Sequence, residues 1–249
     1  ALGTLYFQMD RLDEAADTLT DFVARFGDSP NALYGLYYLG YAHFSLRDFD
    51  KSRDVFADLA ERFPDSEVAA EAMMRVAESA FNLSEFDLVI GVYKDVLTAY
   101  PDAPFLDEAT YNMAWAHYEA QNEEEFISGL RRLLNGFPKS EFAPDARFTL
   151  GDHYFNKEQY QEALNEYQLV LRDHGDSKIA GEVPEVLKNV REIIAYGEYE
   201  EAIAIFSVAL ELDKEDKKAE ALEKFREVVP MFVNLMEKYP GTEVQVGAL

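Results

Sequence analysis

Apolar positions along the chain recur with the period of an amphipathic helix, and the helical runs come in pairs. One run extends from Asn31 to Leu46, about four turns. A polar break at Arg47 and Asp48 follows, and a second run from Phe49 to Phe63 carries Val55, Phe56 and Leu59. Two amphipathic runs joined by so short a break predict a helical hairpin.

The hairpin repeats. An aromatic-rich tetrapeptide recurs as FGDS at Phe26, FPDS at Phe63, YPDA at Tyr100, FPKS at Phe137 and HGDS at His174, each 37 residues after the last. Each copy falls where an apolar run stops, as Gly and Pro do after a helix. The first helices share a small residue in register, Gly3, Gly40, Ala77, Ala114 and Gly151, which lets a neighbouring helix approach closely. Nine residues further on stand Leu12, Phe49, Phe86 and Tyr160, and twelve further on Ala15, Ser52, Val89, Phe126 and Ala163. The fourth copy departs, with Glu123 at the first of these positions. The aromatics Phe26, Phe63, Tyr100 and Phe137 end second helices and are expected to form a buried ladder between hairpins.

The opening stretch LYFQM has the look of the end of a protease-cleavage tag, but Gly3 and Tyr6 sit in repeat register. It therefore reads as the end of a first helix, with the chain beginning inside a repeat. The segments LGTLYFQMDRLDEAADTL, LGYAHFSLRDFDKSRDVF and LGDHYFNKEQYQEALNEY resemble the tetratricopeptide repeat, whose first helix carries L-G-x-x-Y. The resemblance covers residues 1–177 as five repeats, the first truncated. It implies an all-α fold, a right-handed superhelical solenoid of stacked hairpins with a concave face and a protein-binding role. The 37-residue period and the P-D-S-type ending are similar to repeats of bacterial cell-envelope proteins, such as the Tol-Pal accessory protein and the outer-membrane assembly lipoprotein. That likeness implies a periplasmic or envelope location, with the cytoplasm as the alternative.

Residues 178–249 read as a sixth, atypical unit. Pro240 lies 65 residues after Gly175, so the unit carries 28 extra residues, two before Tyr199 and 26 after it. The segment YGEYEEAIAIFSVALELD, with Tyr199, Ala202 and Phe206, reads as a second helix. The insert after it, rich in helix formers, reads as an extended helix or an added hairpin, bent near Pro230. Its expected role is a cap over the last repeat, with a docking element as the alternative.

Charge narrows the partners. With 48 acidic against 23 basic residues the chain carries −25, which repels nucleic acid and supplies no counterion release. The absence of cysteine removes disulfides, thiolate nucleophiles and Cys-based zinc sites. No apolar run approaches the ~18 residues a membrane span needs. The sequence shows no P-loop, H-E-x-x-H or G-x-G-x-x-G, so no catalytic residue, metal or cofactor is expected. His43 and His117 share the register of Tyr6 and Tyr154, and His174 replaces the aromatic of the closing tetrapeptide; all three read as packing residues, leaving His153 as the one histidine without such a reason. Asp48, Asp50, Ser52 and Asp54 imitate the start of a calcium loop, but Arg53 and Leu59 stand where that loop needs Gly and Glu. The run fits a helix start, with acids near the positive end of the dipole.

The informative surface is the first helix of each repeat. Tyr34, Tyr37, Tyr41 and Phe44 form one stripe at i, i+3, i+7 and i+10. The same register gives Met74, Glu78 and Phe81, then Tyr111, Trp115 and Tyr118, then Phe148, Asp152 and Phe155. By the tetratricopeptide resemblance these line the concave groove. The Lys and Asn clamp of chaperone adaptors is missing, since Tyr37, Met74, Tyr111 and Phe148 occupy its positions. The expected function is a non-catalytic scaffold whose aromatic groove, rimmed by Glu78, Glu119 and Asp152, receives a protein or peptide segment that is apolar with basic residues. The alternatives are a self-assembling structural component, hence a homo-oligomer, and the repeat region of a larger protein whose other domain carries the activity.

Overall fold

The computed structural model describes residues 1–247; Ala248 and Leu249, at the end of the expected sixth unit, lie outside the described residues. Among the described residues the regular elements are all helical. They are α1 (Leu2–Gln8), α2 (Leu12–Phe26), α3 (Ala32–Ser45), α4 (Phe49–Arg62), α5 (Ala69–Asn82), α6 (Phe86–Ala99), α7 (Leu106–Glu119) and α8 (Glu123–Gly136). After these come α9 (Ala143–Asn156), α10 (Tyr160–His174), α11 (Val183–Lys214), α12 (Lys218–Lys238) and α13 (Glu243–Gly247). The chain forms two compact units, residues 1–143 and the part from Pro144 onward, so the fifth hairpin groups with the C-terminal one.

In the first unit, small and large residues interlock within each hairpin. A Cβ on Gly40 would lie 2.7 Å from Cζ of Phe56, and one on Gly3 would lie 2.6 Å from Cγ of Leu19. In the fourth hairpin two small residues meet instead, and a Cβ on Gly129 would lie 2.7 Å from Cβ of Ala114. The close approach predicted from the small residues is thus made by the partner helix of the same hairpin. Phe56, Leu59, Val89, Val96, Ala77 and Ala109 are fully enclosed and make one core through successive hairpins. Ser52 and Ser79 hydrogen-bond inside it at 3.1 Å, which satisfies both hydroxyls across neighbouring hairpins.

Each hairpin turn uses the same backbone device. Asp10, Arg47, Ser84 and Gln121 hold left-handed φ angles of 57°, 62°, 62° and 60°. In the second hairpin the Arg47 amide donates to the Phe44 carbonyl and the Asp48 amide to that of His43, both at 2.9 Å. This is a Schellman closure, normally built on glycine because other residues carry a Cβ penalty there. None of the four residues is glycine or asparagine, so periodicity alone gave no sign of the motif. Across the turns the aromatic pairs Phe44–Phe49 and Phe81–Phe86 stand edge to face at 5.5 Å. Where Glu123 breaks that series, Tyr118 turns instead onto Phe126 at 5.0 Å.

The expected aromatic ladder is corrected. Phe26 is 51% exposed, and Phe63, Tyr100 and Phe137 are only half-buried. These rings sit at helix ends, where the backbone turns outward; Phe63 packs on the core margin beneath the Arg62 guanidinium at 5.5 Å. The side chains that do fill the spaces are one and two turns earlier, at Phe56, Leu59 and Tyr93.

In the second unit, a Cβ on Gly151 would meet the Tyr167 ring at 2.5 Å, and Phe155 pairs with Tyr160 at 5.5 Å, so the fifth hairpin keeps the repeat's packing. A 3-10 turn at Ile179–Gly181 then leads into α11, a single helix of 32 residues. Here the reading of YGEYEEAIAIFSVALELD is corrected: Tyr199, Ala202 and Phe206 belong to the first helix of the last hairpin. Pro184 is harmless in the first turn, and the helix runs straight through Gly197, the residue that invites a break before Tyr199. The turn at Glu215–Lys217, with φ 60° at Asp216, returns the chain along α12. The extra residues therefore lengthen both arms of one hairpin, and α12 continues through Pro230. Ala195, Ala202, Val228, Leu235 and Tyr239 close its core.

Candidate functional site

The first-helix stripe of the first unit divides into three environments. Met74 is 2% exposed and sunk in the core, so it offers no groove surface, contrary to the sequence register. A tyrosine at that register must keep its hydroxyl paired or wet, whereas a thioether side chain has no such need and can sink into the core. Tyr34, Phe81 and Tyr118 are exposed, and the other stripe members of the unit are half-buried.

Around Tyr37 and Tyr41 the face is a polar network. Both hydroxyls donate to Oε1 of Glu71, at 3.0 and 2.5 Å, and the two rings meet at 4.9 Å. Burial pushes the Tyr41 hydroxyl well above its ordinary pKa, and the Glu71 carboxylate adds to the rise. Arg75 lies over the Tyr41 ring at 5.9 Å and pairs with Glu78. Burial raises the Glu78 carboxyl; Arg75 opposes the shift, while Glu108 and Glu71 reinforce it.

Beside this network opens a cleft of ≈ 340 Å³ lined by Phe44, Glu78, Phe81, Asn82, Tyr93, Asn112 and Trp115. Trp115 is held from behind by Phe126 at 5.2 Å and flanked by Tyr118 at 5.4 Å, while Tyr111 stacks on Phe142 at 4.9 Å and 20°. The α7 rings are thus fixed in orientation and still reach the surface. Glu119 is exposed at the end of α7.

Within the second unit, Asp152 accepts from the Tyr167 hydroxyl at 2.6 Å, and burial raises its carboxyl. Phe148 packs on Tyr167 at 5.3 Å. Phe148, Asp152 and Phe155 thus hold the fifth hairpin together. Glu71, Arg75, Glu108 and Asn112 were not singled out in the sequence. The register of Tyr34 does pass through Glu71, Glu108 and Asp145, so a period scan for charge as well as for apolarity finds two of the four.

The histidines carry no catalytic arrangement. His43 is buried, which lowers its pKa, with Nδ1 3.7 Å from Asp48, and the His153 ring stands on Tyr154 at 5.5 Å. Among the described residues no three His, Asp or Glu side chains are placed to hold a metal ion, and no helix is long and apolar enough to cross a membrane.

Stacked helical hairpins with small–large interlocking at a constant period define a tetratricopeptide-repeat protein, and the tetratricopeptide family model matches residues 1–67. More particularly, the YfiO model, described as outer membrane lipoprotein, matches residues 36–248, and the chain belongs to that family. No curated protein sequence matches it. Among solved structures, a MamA crystal structure is 15% identical, covering 71% of this chain and 96% of its own, with a TM-score of 0.57. MamA from Desulfovibrio magneticus RS-1 is 18% identical over 71% and 93%, with a TM-score of 0.55. A Podosopora anserina protein of nearly identical TPR-like repeats is 14% identical over 71% and 93%, at 0.54. These likenesses speak to the fold.

Proposed function

We propose that the chain is a non-catalytic scaffold of a bacterial envelope assembly, and that the first-helix face of α3, α5 and α7 binds a partner segment that is apolar with basic residues. The observation that supports this most is the cleft itself, in which aromatic rings stand around the Glu78 carboxylate inside a strongly acidic chain. Rigid aromatics bury large area at low entropic cost and anchor interfaces. The acidic surroundings favour a basic segment and chiefly quicken encounter. Family membership supports a location at the outer membrane, facing the periplasm.

Tyr118 is the residue for the test, because it is 53% exposed and its loss disturbs the core little. Protein partners retained by the parent chain from an envelope fraction are expected to be lost with Tyr118→Ala, while both proteins melt alike. Added salt is expected to slow association more than it speeds dissociation. Equal retention by the variant would refute the reading. A mass that rises with concentration in the parent and not in Tyr118→Ala would assign the same face to self-association instead.

A further inference from the structure

The cleft has hydrocarbon walls and an acidic floor. Phe44, Phe81 and Trp115 supply aromatic surface, Glu78 supplies a carboxylate, and no cationic side chain lines the opening. Its ≈ 340 Å³ is at the small end of ligand pockets and suits one long side chain, not a helix.

Charge in the neighbourhood is unbalanced. At Glu78 two like charges, Glu108 and Glu71, are felt against the opposing charge of Arg75. Arg75 engages Glu78 through Oε2, and a carboxylate can accept further donors on its other oxygen. Burial is the main cause of the rise at Glu78, so this carboxylate is poorly solvated even beside Arg75 and gains from a further cation.

We propose that this cleft reads an arginine side chain of the bound segment, with the guanidinium between the rings of Phe81 and Trp115 and its charge directed at Glu78. A guanidinium is flat, stacks on aromatic faces and sheds water more readily than an ammonium, so arginine suits an aromatic-walled, carboxylate-floored slot better than lysine. Asn82 and Asn112 carry amide oxygens that can take its remaining N–H groups. The inference rests on the groove reading, since the arginine is carried by the segment bound there.

Trp115 is the sole tryptophan, so its fluorescence reports occupancy directly. The probes are acetyl-Leu-Arg-Leu-amide, its citrulline twin, which keeps the shape and loses the charge, and the lysine analogue, each titrated to about 1 mM. The arginine peptide is expected to bind at least about tenfold more tightly than either of the others. That preference should collapse towards unity in Glu78→Gln and persist in part in Glu78→Asp, with circular dichroism confirming that both variants are folded. Equal binding of arginine and citrulline peptides, equal binding of arginine and lysine peptides, an unchanged preference in Glu78→Gln, or no response at all would each overturn the pocket. The groove reading stands or falls separately, on partner retention by Tyr118→Ala.

Discussion

The same substitution, glycine to alanine, should have opposite signs at two helical positions of the first unit. Gly91 lies on the exposed side of α6 with nothing within 4 Å of where a Cβ would stand. Alanine there removes the backbone entropy cost of a mid-helix glycine and should stabilise by about 0.5–1 kcal/mol. At Gly40 the same gain is available, but the new methyl would lie 2.7–2.8 Å from three carbons of the Phe56 ring. Phe56 is fully buried and meets the Tyr41 ring at 5.1 Å, so it has little room to retreat. Forcing an extra carbon into a packed core costs ~1–3 kcal/mol. Ala77 holds the same register fully buried in the next hairpin, so alanine is tolerated there, which favours the middle of that range. The net expectation for Gly40→Ala is a loss of about 1 kcal/mol, and a gap of roughly 2 kcal/mol between the two variants. Urea unfolding followed by helical circular dichroism measures both on the same chain, and comparing the two variants limits the error from any stepwise unfolding of the repeats. Phe56→Leu should also relieve the Gly40→Ala penalty when the two are combined. If Gly40→Ala stabilised as much as Gly91→Ala, the interlocking of small and large residues would not be what fixes the hairpins.

Gln121→Gly should stabilise by up to about 1 kcal/mol in the same assay, because it removes a side chain from a left-handed backbone position; a loss would show that the turn is held by that side chain. Phe26→Ala should cost under ~0.5 kcal/mol while the half-buried Phe63→Ala costs about 1–2 kcal/mol, and losses of ~3 kcal/mol or more at both would restore the buried-ladder expectation. Burial raises the native Glu78 carboxyl above its unfolded value, so the native state binds the proton more tightly and stability falls as pH rises through the native pKa. Glu78→Gln should therefore melt higher than the parent near neutral pH, with the gain fading below about pH 4, where the parent is protonated in both states; a lower melting temperature at neutral pH would mean that the Arg75 pair outweighs the burial.

The period, the helical hairpins and the small-residue register were legible in the sequence because each depends on spacing along one helix or across one short turn. Gly3, Gly40 and Gly151 announce close packing wherever they occur, since lack of a Cβ is a local property. What the small residue packs against is not local. Tertiary structure decided that Gly40 meets Phe56 within its own hairpin, that Met74 is sunk where Tyr37 and Tyr111 are half-open, and that Phe26 is exposed although it heads the most regular motif in the chain. Register fixes which way a Cβ points, but the depth of a side chain depends on how much of the neighbouring helix covers it. The charge setting of Glu78 was hidden for the same reason. Glu71 and Arg75 share α5 with it but Glu108 stands on α7, so only the stacking of hairpins brings Glu108 within reach of Glu78. The last hairpin shows the converse limit: Gly197 is a local signal for a stop before Tyr199, yet α11 runs on through it and turns back only at Asp216, packed along α12.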